Sequence, residues 1–310
     1  MSLLRRLRYG IEYLALSSYS ALIGALPRAW ALRSGEWIGE LAWRLRLRRK
    51  VVLENLSGSF PGRPSQELLD IGRASSRNFG RATTEFARVA GRDRGELDRY
   101  VDFEGLDDLR SALAEGNGAV IVTGHIGSWA LYFSALACFD VPTALLVGRQ
   151  SNPMVDRFIH NIPGGALQLI GKGKLAPRHV LRSLKQGRAV IFVADQYSRV
   201  GTFLPFLGRP ARTLILPGSI VARDRSRPLF IMTGGHTGDG HHRVRLVRQP
   251  APEASATAEQ ISAFCNERLG DAIASAPDQY FWHHRRWKVV GDHEGTPTQD
   301  ELDEIMARSD

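Results

Sequence analysis

Cysteine is scarce in this sequence. Its 310 residues include only Cys138 and Cys265, which lie far apart. Neither belongs to a C-x-x-C pair, so the spacing excludes the common zinc and thiol-redox motifs. We expect both to be buried thiols in a protein of a reducing compartment, and we expect no metal site. The histidine-rich stretch "GGHTGDGHH" lacks a ligand spacing for a metal and is interpreted as a hairpin turn.

An uninterrupted apolar run long enough to cross a membrane is also missing. Residues 9–27 approach the roughly 20 residues that a bilayer requires, but Glu12 interrupts them and several serines dilute them. No clear signal-peptide cleavage site follows. Because "RRLR" precedes this stretch, we expect a membrane-embedded or membrane-lying helix with its arginines on the cytoplasmic side. An apolar helix packed on the domain is the alternative.

Acidic residues are outnumbered by basic ones, 32 to 41, which gives a net charge of +9. Such a charge suits nucleic acid, an anionic membrane face or a phosphorylated substrate. No recognised nucleic-acid motif is present, so nucleic acid is not expected. Tryptophans at 30, 37 and 43 recur on one face of a helix predicted over 28–50, and they suit either a bilayer interface or a core. The closing "FWHHRRWK" favours an interfacial aromatic and basic patch.

Strands alternate with helices from about residue 100 onward. Short apolar runs such as "AVIVTG" are typical of strands in a sheet that is covered on both faces. The alternation predicts an α/β fold with a mostly parallel central sheet flanked by helices, preceded by an N-terminal membrane-associated helical segment. The predicted organisation is N-terminal helices over 1–50, an α/β domain over 51–290 and a polar tail over 291–310. Residues 196–214 are predicted to form a loop.

Two titratable residues follow predicted strands directly. His125 comes after "AVIVTG", and Asp195 ends "AVIFVAD". Ligands of open α/β sheets bind beyond the carboxyl ends of the strands. A histidine there can act as a general base, and a carboxylate bound to its other ring nitrogen would fix the tautomer and stabilise the cation. A structural histidine and a loop cap are the alternatives.

Basic residues follow several of the same strands and could line one phosphate-attracting mouth. Each of them, taken singly, could equally be a solvated surface charge. They are Arg149, Lys172, Lys174, Arg209 and Arg212.

These residues together resemble a known family, the bacterial lipid A biosynthesis lauroyl and myristoyl acyltransferases of the lysophospholipid acyltransferase superfamily. The chain is also similar to the phosphatidylinositol mannoside acyltransferases. The resemblance covers most of the chain, and its last two motifs are quite specific. The motifs are "ENLSGSFPG", "GHIGSW", "RQSNPMVDRFI", "ADQ…FLPFLGRPARTLILPG" and "PDQYFWHHRRWK".

The resemblance implies an O-acyltransferase at the cytoplasmic face of the inner membrane. It would move a fatty acyl chain from a thioester of acyl carrier protein or coenzyme A to a hydroxyl of a glycolipid, such as a lipid A precursor. No cofactor beyond the donor is implied. His125 matches the family's general base. Arg149, Asn152 and Arg157 match a pattern of substrate-phosphate and carrier contact.

One position departs from the family pattern H-x-x-x-x-D/E. The acidic position falls on Ala130, which can neither orient nor stabilise an imidazole. Asp195 or another carboxylate could supply that group, as the resemblance to mannoside acyltransferases implies for Asp195. The acid could instead have been removed deliberately. A third explanation is a catalytically impaired relative that acts as a lipid-binding or assembly protein.

Overall fold

The computed structural model describes residues 3–89, 96–148, 150–161, 167–238 and 240–288. The polar tail predicted over 291–310 lies outside these residues. Helices predominate before residue 100 and around the sheet, which begins at residue 101. The helices are α1 Leu3–Ala25, α2 Arg28–Arg44, α3 Arg49–Ser59, α4 Ser65–Val89, α5 Leu106–Ala114, α6 Trp129–Cys138, α7 Pro153–Asn161, α8 Ala176–Lys185, α9 Leu216–Arg223 and α10 Ala258–Ser275.

The prediction of one continuous helix over 28–50 is wrong in one respect, because the helix is interrupted between α2 and α3. Arg46 and Arg48 both adopt the left-handed conformation there, with φ of 58° and 55°. Non-glycine residues seldom do so, and two such residues end the regular helix. The segment "ENLSGS" forms the end of α3.

Helices α2 and α4 pack backbone against backbone. A Cβ on Gly39 would overlap the backbone of Ser76 and Arg77, and a Cβ on Gly80 would overlap the backbone of Gly35. The absence of side chains at these glycines therefore permits the close crossing. Only one of the three tryptophans flagged in the sequence is core: Trp43 is 6% exposed, whereas Trp30 and Trp37 are 66% and 70% exposed.

Within the described residues, no helix combines the length and the apolarity that a membrane crossing requires. Membrane association of the N-terminal segment therefore stays a prediction. Helix α1 packs on α4 and α7.

The described strands form a seven-stranded sheet in the order β1-β9-β8-β2-β5-β3-β4 and a separate pair β6-β7. In the sheet, β8, β2, β5, β3 and β4 are mutually parallel, and β9 and β1 run the opposite way. The predicted mixed α/β fold with a mostly parallel sheet is confirmed. The strands are β1 Val101–Glu104, β2 Ala119–Thr123, β3 Thr143–Val147, β4 Leu167–Gly171, β5 Ala189–Val193, β6 Thr202–Phe206, β7 Arg209–Thr213, β8 Leu229–Gly238 and β9 His241–Arg248.

One local prediction for this part of the chain is wrong, and one strand was missed. The segment predicted as a loop over 196–214 contains the antiparallel hairpin of β6 and β7, which turns at Leu207 and Gly208, both with positive φ. Strand β1 was not predicted, because its four residues are too few to show a pattern.

The core has two layers, one on each face of the sheet. Val120 and Val122 of β2 point into one layer, and Ile121 points into the other, as the two-residue period of a strand requires. Cys265 lies in the first layer, as expected. Cys138 is exposed, contrary to the prediction, because it is the last residue of α6.

Candidate active site

His125 and Asp195 lie side by side because the strands before them are neighbours in register. Strand β2 pairs with β5 so that Thr123 lies opposite Val193. Each of the two residues follows its strand by the same offset, so they reach the same edge of the sheet together. Nδ1 of His125 is 2.8 Å from Oδ1 of Asp195. The structure thus brings together the two residues that the sequence predicted at this edge.

The Asp195 carboxylate is held ionised although it is 1% exposed. The backbone N–H of His125 donates to its Oδ2 over 2.9 Å, in addition to the contact with the ring. Burial alone would raise the pKa of Asp195. The electrostatic attraction to His125, the two hydrogen bonds from His125 and the nearby Arg286 outweigh burial and lower that pKa. Asp195 is therefore a carboxylate at neutral pH.

The guanidinium of Arg286 is a buried cation beside this carboxylate, and the sequence did not indicate it. Its Nη1 donates to the carbonyl oxygens of Gln196 and Arg212 over 3.2 and 2.6 Å, and its Nη2 donates to Oγ1 of Thr213 over 2.6 Å. Burial lowers the pKa of Arg286 to about 10, which still leaves it charged at neutral pH.

The tautomer of His125 follows from its partners. An ionised Asp195 only accepts hydrogen bonds, so Nδ1 carries the proton and Nε2 keeps its lone pair. Nε2 lies 3.1 Å from Nε2 of Gln196, an amide nitrogen that donates to it. The imidazole is 18% exposed and lines a cavity, so the ring does not lie in a sealed interior.

That cavity has a volume of about 430 Å³ and extends from His125 between α4, α6 and the ends of β3, β4 and β5. Most of its wall is apolar, which suits an alkyl chain more than a polar group. Its polar members include His125, Thr83, Gln150, Lys172 and Gln196. Its apolar members are Ala82, Phe86, Trp129, Ala130, Phe133, Leu145, Leu146, Val147, Leu167, Leu169 and Val193.

Helix α6 begins at this cavity. Its first two residues, Trp129 and Ala130, both line the wall. The next N–H, that of Leu131, donates to the carbonyl of Ser128, whereas the N–H groups of Trp129 and Ala130 have no hydrogen-bond partner among the described residues. Two backbone donors at a helix N-terminus can stabilise a negative oxygen.

The closing motif "PDQYFWHHRRWK" packs against the site and contacts the backbone of His125. The N–H of Phe281 donates to the carbonyl of His125 over 3.0 Å, and the Phe281 ring packs 4.4 Å from that of Phe79. The Trp129 ring lies 4.9 Å from the imidazole, edge to face. Trp282 and Arg286 of the motif are 0% and 1% exposed, so the prediction of an interfacial patch is wrong for them.

A second buried network holds the turn that follows His125. The carboxylate of Glu85, 0% exposed, accepts from Ser128 Oγ, from Nε2 of His242 over 2.8 Å and from Arg28 over 2.8 Å. Tyr132 completes the network: its hydroxyl accepts from the N–H of Ser128 over 3.0 Å and lies 3.1 Å from Nδ1 of His242. Sequence reasoning missed Glu85 because nothing in α4 distinguishes it from a surface glutamate.

Removing the Glu85 carboxylate is expected to destabilise the fold. Burial alone would raise its pKa, but His242, Arg28 and Arg81 lower it, so the group is charged. In Glu85→Ala these partners stay buried without an anion, which costs roughly 3 kcal/mol. Urea titration measures the free energy of unfolding. In the control, Glu104→Ala, an exposed ion pair with Arg245 is lost, so the expected change is below about 1 kcal/mol. Equal losses in both variants would contradict the role of Glu85.

Five basic or amide residues were predicted to bind substrate, and none of those that the structure describes is among the residues lining the cavity. Asn152 donates to the carbonyl of Tyr9 and to Glu12, both over 2.9 Å, so its amide ties α1 to the start of α7. Arg157 is exposed on α7. Arg149 lies outside the described residues.

Arg209 and Arg212 belong to the hairpin of β6 and β7. Arg209 stacks on the Trp287 ring at 4.6 Å, and burial lowers its pKa. Nε of Arg212 donates to the carbonyl of Gly201 over 3.0 Å. Neither lines the cavity of His125. Of the flagged basic residues that the structure describes, Lys172 is the one that does.

The histidine-rich stretch forms the connection of β8 and β9, which pair as an antiparallel hairpin. His242 of this stretch belongs to the network of Glu85. Among the described residues, no group of three or more His, Cys, Asp or Glu side chains could hold a metal ion.

Comparison with known proteins matches almost the whole chain to one family. The model of the family described as bacterial lipid A biosynthesis acyltransferase covers residues 2–289. A lipid A biosynthesis palmitoleoyltransferase of Escherichia coli (strain K12) is 27% identical over 252 residues, which is 79% of this chain and 80% of the relative.

Two further relatives have the same kind of function. The lipid A biosynthesis lauroyltransferase of Escherichia coli (strain K12) is 24% identical over 94% of this chain and 95% of its own. A phosphatidylinositol mannoside acyltransferase of Mycolicibacterium smegmatis (strain ATCC 700084 / mc(2)155) is 26% identical over 73% of this chain and 75% of its own.

Proposed function

The chain belongs to the bacterial lipid A biosynthesis acyltransferase family, as its resemblance predicted, and is an acyltransferase. Starting from that membership, we propose that it moves a fatty acyl chain from a thioester donor to a hydroxyl of a glycolipid related to lipid A precursors, with His125 as general base. The observation that carries the proposal is the 2.8 Å contact between Nδ1 of His125 and Asp195, which leaves Nε2 as the basic nitrogen beside an apolar cavity.

The proposed reaction is a direct displacement without a covalent acyl-enzyme. Nε2 of His125 removes the proton of the acceptor hydroxyl while the oxygen attacks the thioester carbonyl carbon. The imidazolium that forms is stabilised by the Asp195 carboxylate. When the tetrahedral intermediate collapses, the carbon–sulfur bond breaks and the imidazolium returns its proton to the leaving thiolate. The acceptor hydroxyl would replace the Gln196 amide at Nε2.

The start of α6 is the candidate oxyanion site. Trp129 and Ala130 line the cavity together with His125, and their backbone N–H groups have no hydrogen-bond partner among the described residues. Preorganised backbone donors of this kind stabilise the charge that develops on the carbonyl oxygen. A fatty acyl chain whose thioester carbonyl lies at this point can extend into the apolar cavity.

Asp195 favours one explanation of the alanine at position 130. A carboxylate already bonds to Nδ1 of His125 from the neighbouring strand, so the ring has its orienting group without a contribution from α6. Position 130 then adds apolar surface to the cavity instead of charge. An impaired lipid-binding relative is the second candidate, and Ala130 is the observation behind it.

Membrane association is proposed from the distribution of apolar surface. Of the fifteen large apolar side chains that are exposed in the described residues, ten lie before residue 50. Exposed apolar patches that are this concentrated mark interaction sites, and arginines lie among them. We therefore propose that the N-terminal helices lie on the cytoplasmic face of the inner membrane. The ten are Leu7, Ile11, Leu14, Leu22, Trp30, Trp37, Ile38, Leu41, Leu45 and Leu47.

An acyl-transfer assay separates the two candidate functions. The purified protein is incubated with a radiolabelled acyl thioester and a lipid A precursor in mixed micelles, and the labelled glycolipid is quantified. Transfer that requires His125 supports the enzyme. No transfer with either acyl carrier protein or coenzyme A donors would favour the lipid-binding relative.

Restoring the family acid at position 130 is expected to bring no gain. In Ala130→Glu, a carboxylate enters an apolar wall while Asp195 already holds Nδ1, so transfer should fall about tenfold or remain unchanged. Ala130→Gln is the matched control, equal in size and uncharged. Initial rates with the same donor and acceptor measure both. A tenfold or larger rise in Ala130→Glu alone would mean that the missing acid matters and that Asp195 does not replace it.

A further inference from the structure

One long segment of the chain carries basic residues and no acidic ones. Between Asp156 and Asp195 there is no acidic residue, whereas the net charge of the whole protein is +9. This segment leads into β4, runs through α8 and ends after β5. Its seven cations are Arg157, Lys172, Lys174, Arg178, Arg182, Lys185 and Arg188.

Five of these cations lie on α8 or in the short stretch that joins it to β4, and we call them together the α8 face: Lys172, Lys174, Arg178, Arg182 and Lys185. Every one of them is exposed. On α8, Arg178, Arg182 and Lys185 are spaced i, i+4 and i+7, which places them on one side of the helix. Val180 and Leu184, both 0% exposed, occupy the opposite side and pack in the core. The helix therefore presents a basic stripe to solvent.

The α8 face has no internal acidic partner. Within the described residues, none of its five cations lies in a salt bridge, whereas many other exposed arginines do. Arg243 and Arg245, for example, both pair with Glu104. Unpaired charges of one sign sum to a local potential that attracts an oppositely charged partner.

The α8 face begins at the mouth of the catalytic cavity. Lys172 lines that cavity together with His125. Its N–H donates to the carbonyl of Val147 over 2.9 Å, which fixes this residue at the ends of β3 and β4. From there the stripe runs along α8, where Arg178 and Lys185 are about 10 Å apart by helical rise.

We propose that the α8 face docks an acidic carrier protein, which delivers the acyl thioester into the cavity of His125. This inference rests on the proposed function. The stripe is long, open and fully solvated, which fits an extended acidic protein surface better than the compact phosphates of a nucleotide. The exposed Leu175 and Leu181, at 61% and 38%, supply apolar surface within it. Most exposed apolar side chains lie elsewhere, on the N-terminal helices, so the membrane-facing side is a different one.

A charge-reversal variant tests the docking surface. Arg178→Glu/Arg182→Glu is compared with the unaltered protein using the same acyl group on acyl carrier protein and on coenzyme A, each at low and high salt. We expect kcat/KM for the carrier-protein donor to fall at least about 30-fold at low salt and to lose its salt dependence. The value for the coenzyme A donor should change less than about threefold. Arg243→Glu/Arg245→Glu, with the same change in net charge, is the matched control and should leave both donors unaffected.

A binding measurement makes the result independent of catalysis. Fluorescence anisotropy of labelled acyl carrier protein without an acyl group should show a Kd at least tenfold weaker for the reversed α8 face and an unchanged Kd for the control. Equal losses with both donors, an unchanged Kd, or a loss confined to anionic vesicle binding would each overturn the proposal. Failure of the unaltered protein to transfer from any donor would contradict the proposed function, while the anisotropy result would still decide the docking surface.

Discussion

Replacing His125 with alanine is expected to lower kcat/KM for acyl transfer at least about 1,000-fold. The acceptor hydroxyl then loses its proposed base, because His125 lines the cavity and its Nε2 is the ring nitrogen that Asp195 does not engage. General-base catalysis contributes about 10²- to 10⁴-fold in enzymes of many kinds. The measurement is the initial rate of labelled glycolipid formation with saturating donor.

Controls separate this chemistry from folding. His241→Ala removes an exposed histidine of β9 and should leave the rate unchanged. Because the ring is a hydrogen-bond partner of the buried Asp195 carboxylate, His125→Ala should lower the thermal unfolding midpoint, and its rate is therefore measured well below that midpoint. Transfer within tenfold of the unaltered rate in His125→Ala would exclude the imidazole as the base.

The second large effect is expected for Asp195→Asn. Asparagine keeps the shape but has no charge to stabilise the imidazolium, and its amide can present a donor to Nδ1 and so favour the wrong tautomer. A loss of about 10²- to 10⁴-fold in kcat follows, with a smaller change in KM. Asp107→Asn, at an exposed position of α5, is the matched control.

Two further measurements, of the His125 tautomer and of stability against pH, accompany the Asp195→Asn rate. Nitrogen-15 NMR of the His125 ring should show loss of the Nδ1–H tautomer, which a merely structural aspartate would not control. Stability should also change with pH. Because the pKa of Asp195 is lower in the folded state, its stabilising effect is present above the unfolded pKa of about 3.9 and is lost as pH falls through the folded value. Asp195→Asn should lack this acid-limb dependence.

Much of the site could be predicted from strand ends alone. Apolar runs that stop at His125 and Asp195 place both groups at the carboxyl edge of a parallel sheet. Because β2 and β5 are neighbours in that sheet, the two side chains come into contact. The sequence could not say that those two strands are neighbours in the sheet, because β3 and β4 lie between them in chain order. That adjacency depends on long-range pairing.

Other features depended on contacts that no local pattern encodes. Glu85 and His242 meet across the fold, and Arg286 lies near Asp195 because the segment after α10 contacts the hairpin of β6 and β7. The basic residues predicted as one mouth do not all meet at the cavity: Lys172 lines it, whereas Arg209 stacks on Trp287. Asn152, which the resemblance implied as a substrate contact, ties α1 to α7. A position directly after a strand predicted that His125 and Asp195 lie together at the sheet edge, but it did not predict where the hairpin side chains Arg209 and Arg212 lie.

A double-mutant cycle of His125→Ala and Asp195→Ala tests most directly whether the two residues act as one unit. The initial rate of glycolipid acylation is measured for the unaltered protein, both single variants and the double variant. If the carboxylate acts through the imidazole, the double variant is no slower than His125→Ala, and the two effects are strongly non-additive. Independent, multiplying losses, or full activity in Asp195→Ala, would contradict a histidine base held by that carboxylate.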